Sequence, residues 1–134
     1  MDVTLGKEVT FDCTFSEEEV TLFAQISGDN NPIHLDKKYA EDSIFKRRIV
    51  HGCLVASSFS KIFGTLYPGE GSIYLSQTLK FIKPVYLGQL ITAKATLIDF
   101  DPEKRRGRFT TECVNEESAA VLIGEAVVIF PDEK

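Results

Sequence analysis

Two histidines, His34 and His51, are the only imidazoles in the chain, so any imidazole acid or base is one of them. Asp29 stands five positions before His34, and Asn30, Asn31 and Pro32 bend the chain between them, so both side chains can face one cavity. A carboxylate beside an imidazole is the minimum equipment for acid–base chemistry. Spacing alone leaves a second reading open, in which Asp29 caps a turn and His34 lies on the surface.

Other chemistries lack their residues. No third histidine or carboxylate cluster completes a metal site, no Gly-x-Ser-x-Gly elbow is present, and neither a phosphate loop nor a dinucleotide glycine pattern occurs. Neither a metal nor a redox cofactor is expected. A net charge of -5 argues against nucleic acid, which calls for a basic surface. Two basic clusters, Lys46-Arg47-Arg48 and Lys104-Arg105-Arg106, read as solvated faces or as a patch for a phosphorylated ligand. Cys13, Cys53 and Cys113 have neither paired-thiol nor zinc spacing, so buried free thiols are expected.

The elements that must hold these residues follow from periodicity. Glu8 to Phe15 alternates with Val9, Phe11, Cys13 and Phe15 on one side, as a half-buried strand does. Ser16 and Glu19 form a capping-box pattern, and Val20, Phe23, Ala24 and Ser27 recur at helical spacing until Gly28. Asp29 to Arg48 is irregular, with one or two helical turns near Asp36 to Asp42, and extended connections in compact domains are usually functional or disordered. Its low Gly and Ser content argues against disorder. Ile49 to Phe63 is apolar nearly all round and predicts a helix buried on most sides.

After Pro68-Gly69-Glu70-Gly71, strands are expected over Ser72 to Ile82, Gln89 to Phe100, Arg106 to Val114 and Ala119 to Phe130, joined as antiparallel hairpins. Helices early and strands late give an α+β arrangement in which one long antiparallel sheet wraps a single buried helix. With 134 residues, 43% apolar and 26% charged, the chain is expected to form one globular domain spanning residues 1–134. No segment has the length and apolarity of a membrane span and Met1 to Gly6 has no leader pattern, so a cytoplasmic location is expected.

The run Phe23-Ala24-Gln25-Ile26-Ser27-Gly28-Asp29-Asn30-Asn31-Pro32-Ile33-His34, with Ala40 following, resembles the hydratase motif of the MaoC-like (R)-specific enoyl-CoA hydratases. The likeness continues through Ile49-Val50-His51-Gly52, Gly71-Ser72-Ile73-Tyr74-Leu75 and Phe81 to Gly88, about two-thirds of the chain. It implies a hot-dog fold and a homodimer whose tunnels accept an acyl-CoA thioester, with an acyl-carrier-protein thioester as the nearest variant.

By the same resemblance Asp29 and His34 are the catalytic pair, Gly52 a backbone donor to the thioester oxygen, and Ser60 a supporting hydroxyl, although a helical serine often bonds back to its own helix. Adding water to a trans-2-enoyl thioester needs a base, a proton donor for C2, and donors for the enolate-like oxygen. Asp29 is expected as the base and His34 as the proton donor, with roles reversed in dehydration. Asn31 within the motif and His51 are expected near the substrate, His51 in a structural or positioning role. Phe63, one turn beyond Ser60, either narrows the acyl end of the tunnel or belongs to the core. A thioesterase on the same fold and a non-catalytic acyl-thioester binder remain as alternatives.

Overall fold

The computed structural model describes residues 2–132. The chain opens with a short edge strand, β1 (Glu8–Cys13), whose residues alternate between exposed and half-buried. Thr14 and Phe15, expected to extend it, lie outside the pairing, although Phe15 is still buried. Helix α1 (Glu17–Ser27) begins with a complete capping box: Ser16 Oγ accepts from the Glu19 amide while Glu19 accepts from the Ser16 amide. It ends at Gly28, whose left-handed backbone (φ 77) lets its N–H reach the Ala24 carbonyl.

The connection that follows is more regular than its sequence suggests. It holds two short helices, α2 (Pro32–Leu35) and α3 (Lys37–Glu41), capped by Asn31 and Asp36. Pro32 at the head of α2 lacks the N–H that would otherwise go unpaired there.

Helix α4 runs over Gly52–Lys61, shorter than the expected Ile49 to Phe63, and passes into a π-helical turn at Ile62–Leu66. Ile49 and Val50 are instead extended: Ile49 bridges Tyr86, and the Val50 amide donates to Val85. The helix is buried on one face only. Val55, Ser58 and Phe59 point into the core with Ile62 and Phe63, whereas Cys53, Ser57 and Ser60 are exposed. The apolar sequence overstated its enclosure because a single sheet covers one side of it.

That sheet is antiparallel throughout. Long strands β4 (Ile91–Asp101), β5 (Arg106–Val114) and β6 (Ala120–Ile129) form its centre, in the order β1-β4-β5-β6-β2, and a two-residue strand also pairs β6. The segment expected as one strand over Ser72 to Ile82 is broken into β2 (Ile73–Gln77) and β3 (Lys80–Phe81). Between them Thr78 crosses β6 so closely that a Cβ at Gly124 would lie 1.8 Å from the Thr78 carbonyl oxygen. Only glycine admits that crossing.

Phe59, Ile62 and Phe63 pack with Ile91, Leu97, Phe109 and Phe130 in one continuous core. The three cysteines are free, but only Cys113 is buried; Cys13 is half-buried and Cys53 exposed, contrary to the expectation of three buried thiols. Burial pushes the Cys113 thiol up to about 11.

Three residues of the basic clusters have local partners. Arg48 pairs with Glu17 at 3.0 Å, Arg47 lies 3.9 Å over the Tyr86 ring, and Arg105 donates from Nε to the Pro131 carbonyl. Among the described residues no helix is long and apolar enough to cross a membrane.

Candidate active site

A largely apolar cleft of about 490 Å³ opens beside the first turn of α4. Phe23, Phe45, Ile49, Val55, Phe81, Val121 and Leu122 supply its walls, and Asp29, His34, His51 and Gly52 its polar groups. A second hollow, of about 550 Å³, is lined by Thr78, Lys94, Thr110, Glu112 and neighbours. There Lys94 and Glu112 neutralise one another at 2.8 Å, and no imidazole is present.

The two ends of the irregular connection meet in the cleft because each is held by its own chain. Ser27 Oγ accepts from the Asp29 amide, and Asp29 Oδ1 accepts from the Asn31 amide at 3.2 Å. Asn31 Oδ1 in turn caps α2 through the Ile33 amide, and one turn later the helix delivers His34. The bend at Asn30 to Pro32 thus becomes two successive side-chain-to-backbone turns. Asp29 Oδ2 and His34 Nε2 lie 3.9 Å apart, with the carboxylate side chain half-exposed and the imidazole nearly buried.

Hydrogen-bond direction fixes the proton on His34. Its Nδ1 is 2.7 Å from the Ile49 carbonyl oxygen, which only accepts, so Nδ1 carries hydrogen and the neutral ring presents a lone pair at Nε2. Burial holds the imidazole below its ordinary value of 6.5; the Ile49 carbonyl and Asp29 oppose that shift, and His51 adds to it. In the neutral ring the Nε2 lone pair faces the Asp29 carboxylate, two acceptors that only a shared donor can bridge.

A water about 2.8 Å from each acceptor would subtend roughly 90° across the 3.9 Å gap, close to the angle between its own two O–H bonds. Such a water donates to both groups and keeps its lone pairs for an electrophile.

His51 lies behind the pair and is 2% exposed. Its ring stacks on His34 at 3.8 Å between centroids and meets Phe23 at 4.9 Å. Gly52 follows as the first residue of α4, where helix geometry leaves amide N–H groups without intrahelical acceptors. A Cβ at Gly52 would come within 2.5 Å of the Phe81 ring.

Three residues expected at the site are not brought to the cleft by this chain. Ser60 is exposed on the open face of α4. Phe63 is a core residue, 1% exposed, packed against Tyr74 and Phe109. Asn31 is exposed and acts as a helix cap. Conversely, sequence reasoning missed the Ile49 carbonyl, a backbone group with no signature in residue type, and the aromatic walls Phe23, Phe45 and Phe81.

Asp29, His34 and His51 also offer three ligand atoms within 4.8 Å of one another, a grouping that spacing did not reveal. One nitrogen of each ring is already committed to a backbone carbonyl.

A sheet wrapped against one central helix, with an Asp–His pair beside that helix's first turn, defines a hot-dog-fold domain with an acid–base cleft. The MaoC-like domain model matches residues 2–120, and the chain belongs to that family. It is 41% identical over 130 residues to the (R)-specific enoyl-CoA hydratase of Rhodospirillum rubrum, covering 97% of this chain and 90% of that one. It is 39% identical to the 3-hydroxybutyryl-CoA dehydratase of Methylorubrum extorquens, covering 99% and 84%. The solved (R)-hydratase of A. caviae involved in PHA biosynthesis superposes with a TM-score of 0.94 at 40% identity, over 96% of this chain and 98% of that one.

Proposed function

We propose that this chain is an (R)-specific enoyl-CoA hydratase, a hydro-lyase adding water reversibly to trans-2-enoyl-CoA thioesters and dehydrating (3R)-3-hydroxyacyl-CoA in reverse. The observation that carries this reading is the 3.9 Å approach of Asp29 Oδ2 to His34 Nε2 in an apolar cleft. Relatives named for this activity supply the substrate class and the stereochemistry.

In hydration, a water bridging Asp29 and His34 loses a proton to one of them as its oxygen bonds to C3. The carbon–carbon π electrons move toward the thioester, and the oxygen of the resulting enolate lies at the Gly52 amide, where the helix dipole favours negative charge. The proton held by the pair then goes to C2. Both reacting groups approach from one side of the enoyl plane, so hydrogen and hydroxyl add syn.

No cofactor is needed beyond the coenzyme A of the substrate. An acyl-carrier-protein thioester shares the same pantetheine arm and is the nearest alternative carrier. A cytoplasmic location suits a coenzyme A thioester.

The open face of α4, bearing Cys53, Ser57 and Ser60, and the edge strand β2 with exposed Ile73 and Leu75 are the surfaces that a second copy would cover. The working unit is thus a homodimer. Ser60 lies on the face that this interface covers.

The test is hydration of crotonyl-CoA in deuterated water, followed by chiral analysis of the 3-hydroxybutyrate and assignment of the C2 deuterium. A (3R) product with syn deuterium is expected. A (3S) product or anti addition overturns the geometry, and free crotonate with thiol release moves the activity to thioester hydrolysis.

A further inference from the structure

The chemistry above uses His34 and gives no step to the more deeply buried His51, whose expected structural or positioning role has yet to be located in atoms. His51 Nε2 lies 3.0 Å from the main-chain carbonyl oxygen of Asp29. A carbonyl only accepts, so Nε2 carries the hydrogen and Nδ1 the lone pair. That Nδ1 is buried and has no hydrogen-bond partner among the described residues, so a second proton there would meet no acceptor. The flat face of the same ring lies on His34, with centroids 3.8 Å apart and planes 25° from parallel.

We propose that His51 is a positioning residue for the reacting pair: its Nε2–H fixes the Asp29 main chain while its neutral ring seats the His34 imidazole. The two histidines then hold opposite tautomers, Nδ1–H on His34 and Nε2–H on His51, each locked by a backbone carbonyl.

This division has a physical basis. Asp29 is half-exposed and sits at a bend, so its carboxylate is placed by local turns plus the one long-range bond from His51, twenty-two positions away. His34 is fixed at Nδ1 by Ile49, but a single hydrogen bond leaves the ring free to tilt about it; stacking removes that freedom. Two stacked imidazoles also disfavour a doubly charged state, since like charges at that separation repel in a poorly solvated cleft. The remaining titratable groups facing the cleft are Asp29 from the bend, Cys53 from α4 and Lys83 from the segment after β3. Of these, Asp29 acts on the charge of His34, and it favours the cation.

The proposal rests on the hydratase reading only for its kinetic arm, because the tautomers are read in the free protein. With just two histidines in the chain, ¹⁵N-labelled imidazole spectra resolve both rings without ambiguity. At neutral pH the expected pattern is one ring of each tautomer. Two rings of the same tautomer overturn the proposal.

The kinetic arm uses two variants. His51→Phe keeps a ring on His34 and loses the donor; turnover should fall at least about tenfold with KM changed less than about threefold. His51→Gln restores an N–H near the Nε2 position and should regain a substantial part of the lost kcat. A residue acting only in packing would alter melting temperature in both while leaving kcat of the folded protein and the His34 tautomer alone, and that outcome also overturns the proposal. If neither variant folds, the spectra of the unaltered protein decide.

Discussion

Asp29 and His34 are unequal partners. The carboxylate is half in solvent and held by turns of its own segment, whereas the imidazole is nearly buried and anchored to a distant carbonyl. Asp29→Asn and His34→Gln should each lower turnover by at least roughly a hundredfold, the low end for loss of a general acid or base, with little change in melting temperature. Near-parental rates in steady-state assays of either variant would remove that residue from the chemistry. Ser60→Ala should cost less, since Ser60 does not reach the cleft of its own chain.

The pH dependence follows from the sign on His34. Its folded value lies below 6.5, so the neutral ring is favoured by folding and the stability it confers is complete above 6.5. That stability is lost as pH falls below 6.5 toward the lowered value, and the rate should fall on the same side. A pH–rate profile whose acid limb lies above 6.5 would contradict this. At this scale the sequence was legible where chemistry resides in side chains, as for Asp29, His34, His51 and Gly52. It was silent on the Ile49 carbonyl, which alone decides the tautomer.

Elements explain where the reading of the sequence held and where it slipped. The capping box at Ser16 and the glycine stop at Gly28 were legible because both satisfy helix-end hydrogen bonds locally. Strand β5 was expected over Arg106 to Val114 and runs there, since its alternation matches one covered face. The break between β2 and β3 was not visible: it arises from the Thr78 segment crossing β6, a contact between residues far apart in sequence.

Gly124→Ala should therefore be among the most damaging small substitutions, because its Cβ would meet backbone rather than a movable side chain. A loss of several kcal/mol, roughly 3 or more, is expected in denaturant titration, the range for severe steric damage in a core. Gly52→Ala presents the opposite case. Its Cβ meets the edge of the Phe81 ring, a side chain able to swing, so stability should survive while turnover falls as the methyl group enters the thioester's approach. A melting temperature near the parent's with kcat reduced at least about tenfold is the expected pair of measurements.

The molecule leaves one face of its central helix open, and the β2 edge of its sheet as well. A helix with buried Val55 and Phe59 on one side and exposed Cys53, Ser57 and Ser60 on the other, together with the outer edge of β2, calls for a second copy to complete the enclosure. Sedimentation should find a dimer at assay concentrations, and a fully active monomer would defeat that reading. The α+β class was legible from element order, but the one-sided burial of α4 was not, because an apolar stretch does not say which of its neighbours belongs to the same chain.

The extended pair Ile49–Val50 has a mechanical meaning at this scale. The Ile49 amide donates to Ile33, its carbonyl accepts from His34, its backbone bridges Tyr86, and the Val50 amide donates to Val85 at 2.7 Å. Two residues thus rivet the α2 segment to the loop leading into β4, and His34 inherits the stiffness of that rivet, while Asp29 is held by the turns of its own segment and by His51. In hydrogen exchange the Val50 amide should open only with the sheet, orders of magnitude more slowly than the amides around Asn30. One jaw of the site is tied to a distant carbonyl and the other to its own turns and to His51, so the spacing of the pair is set from both sides of the cleft.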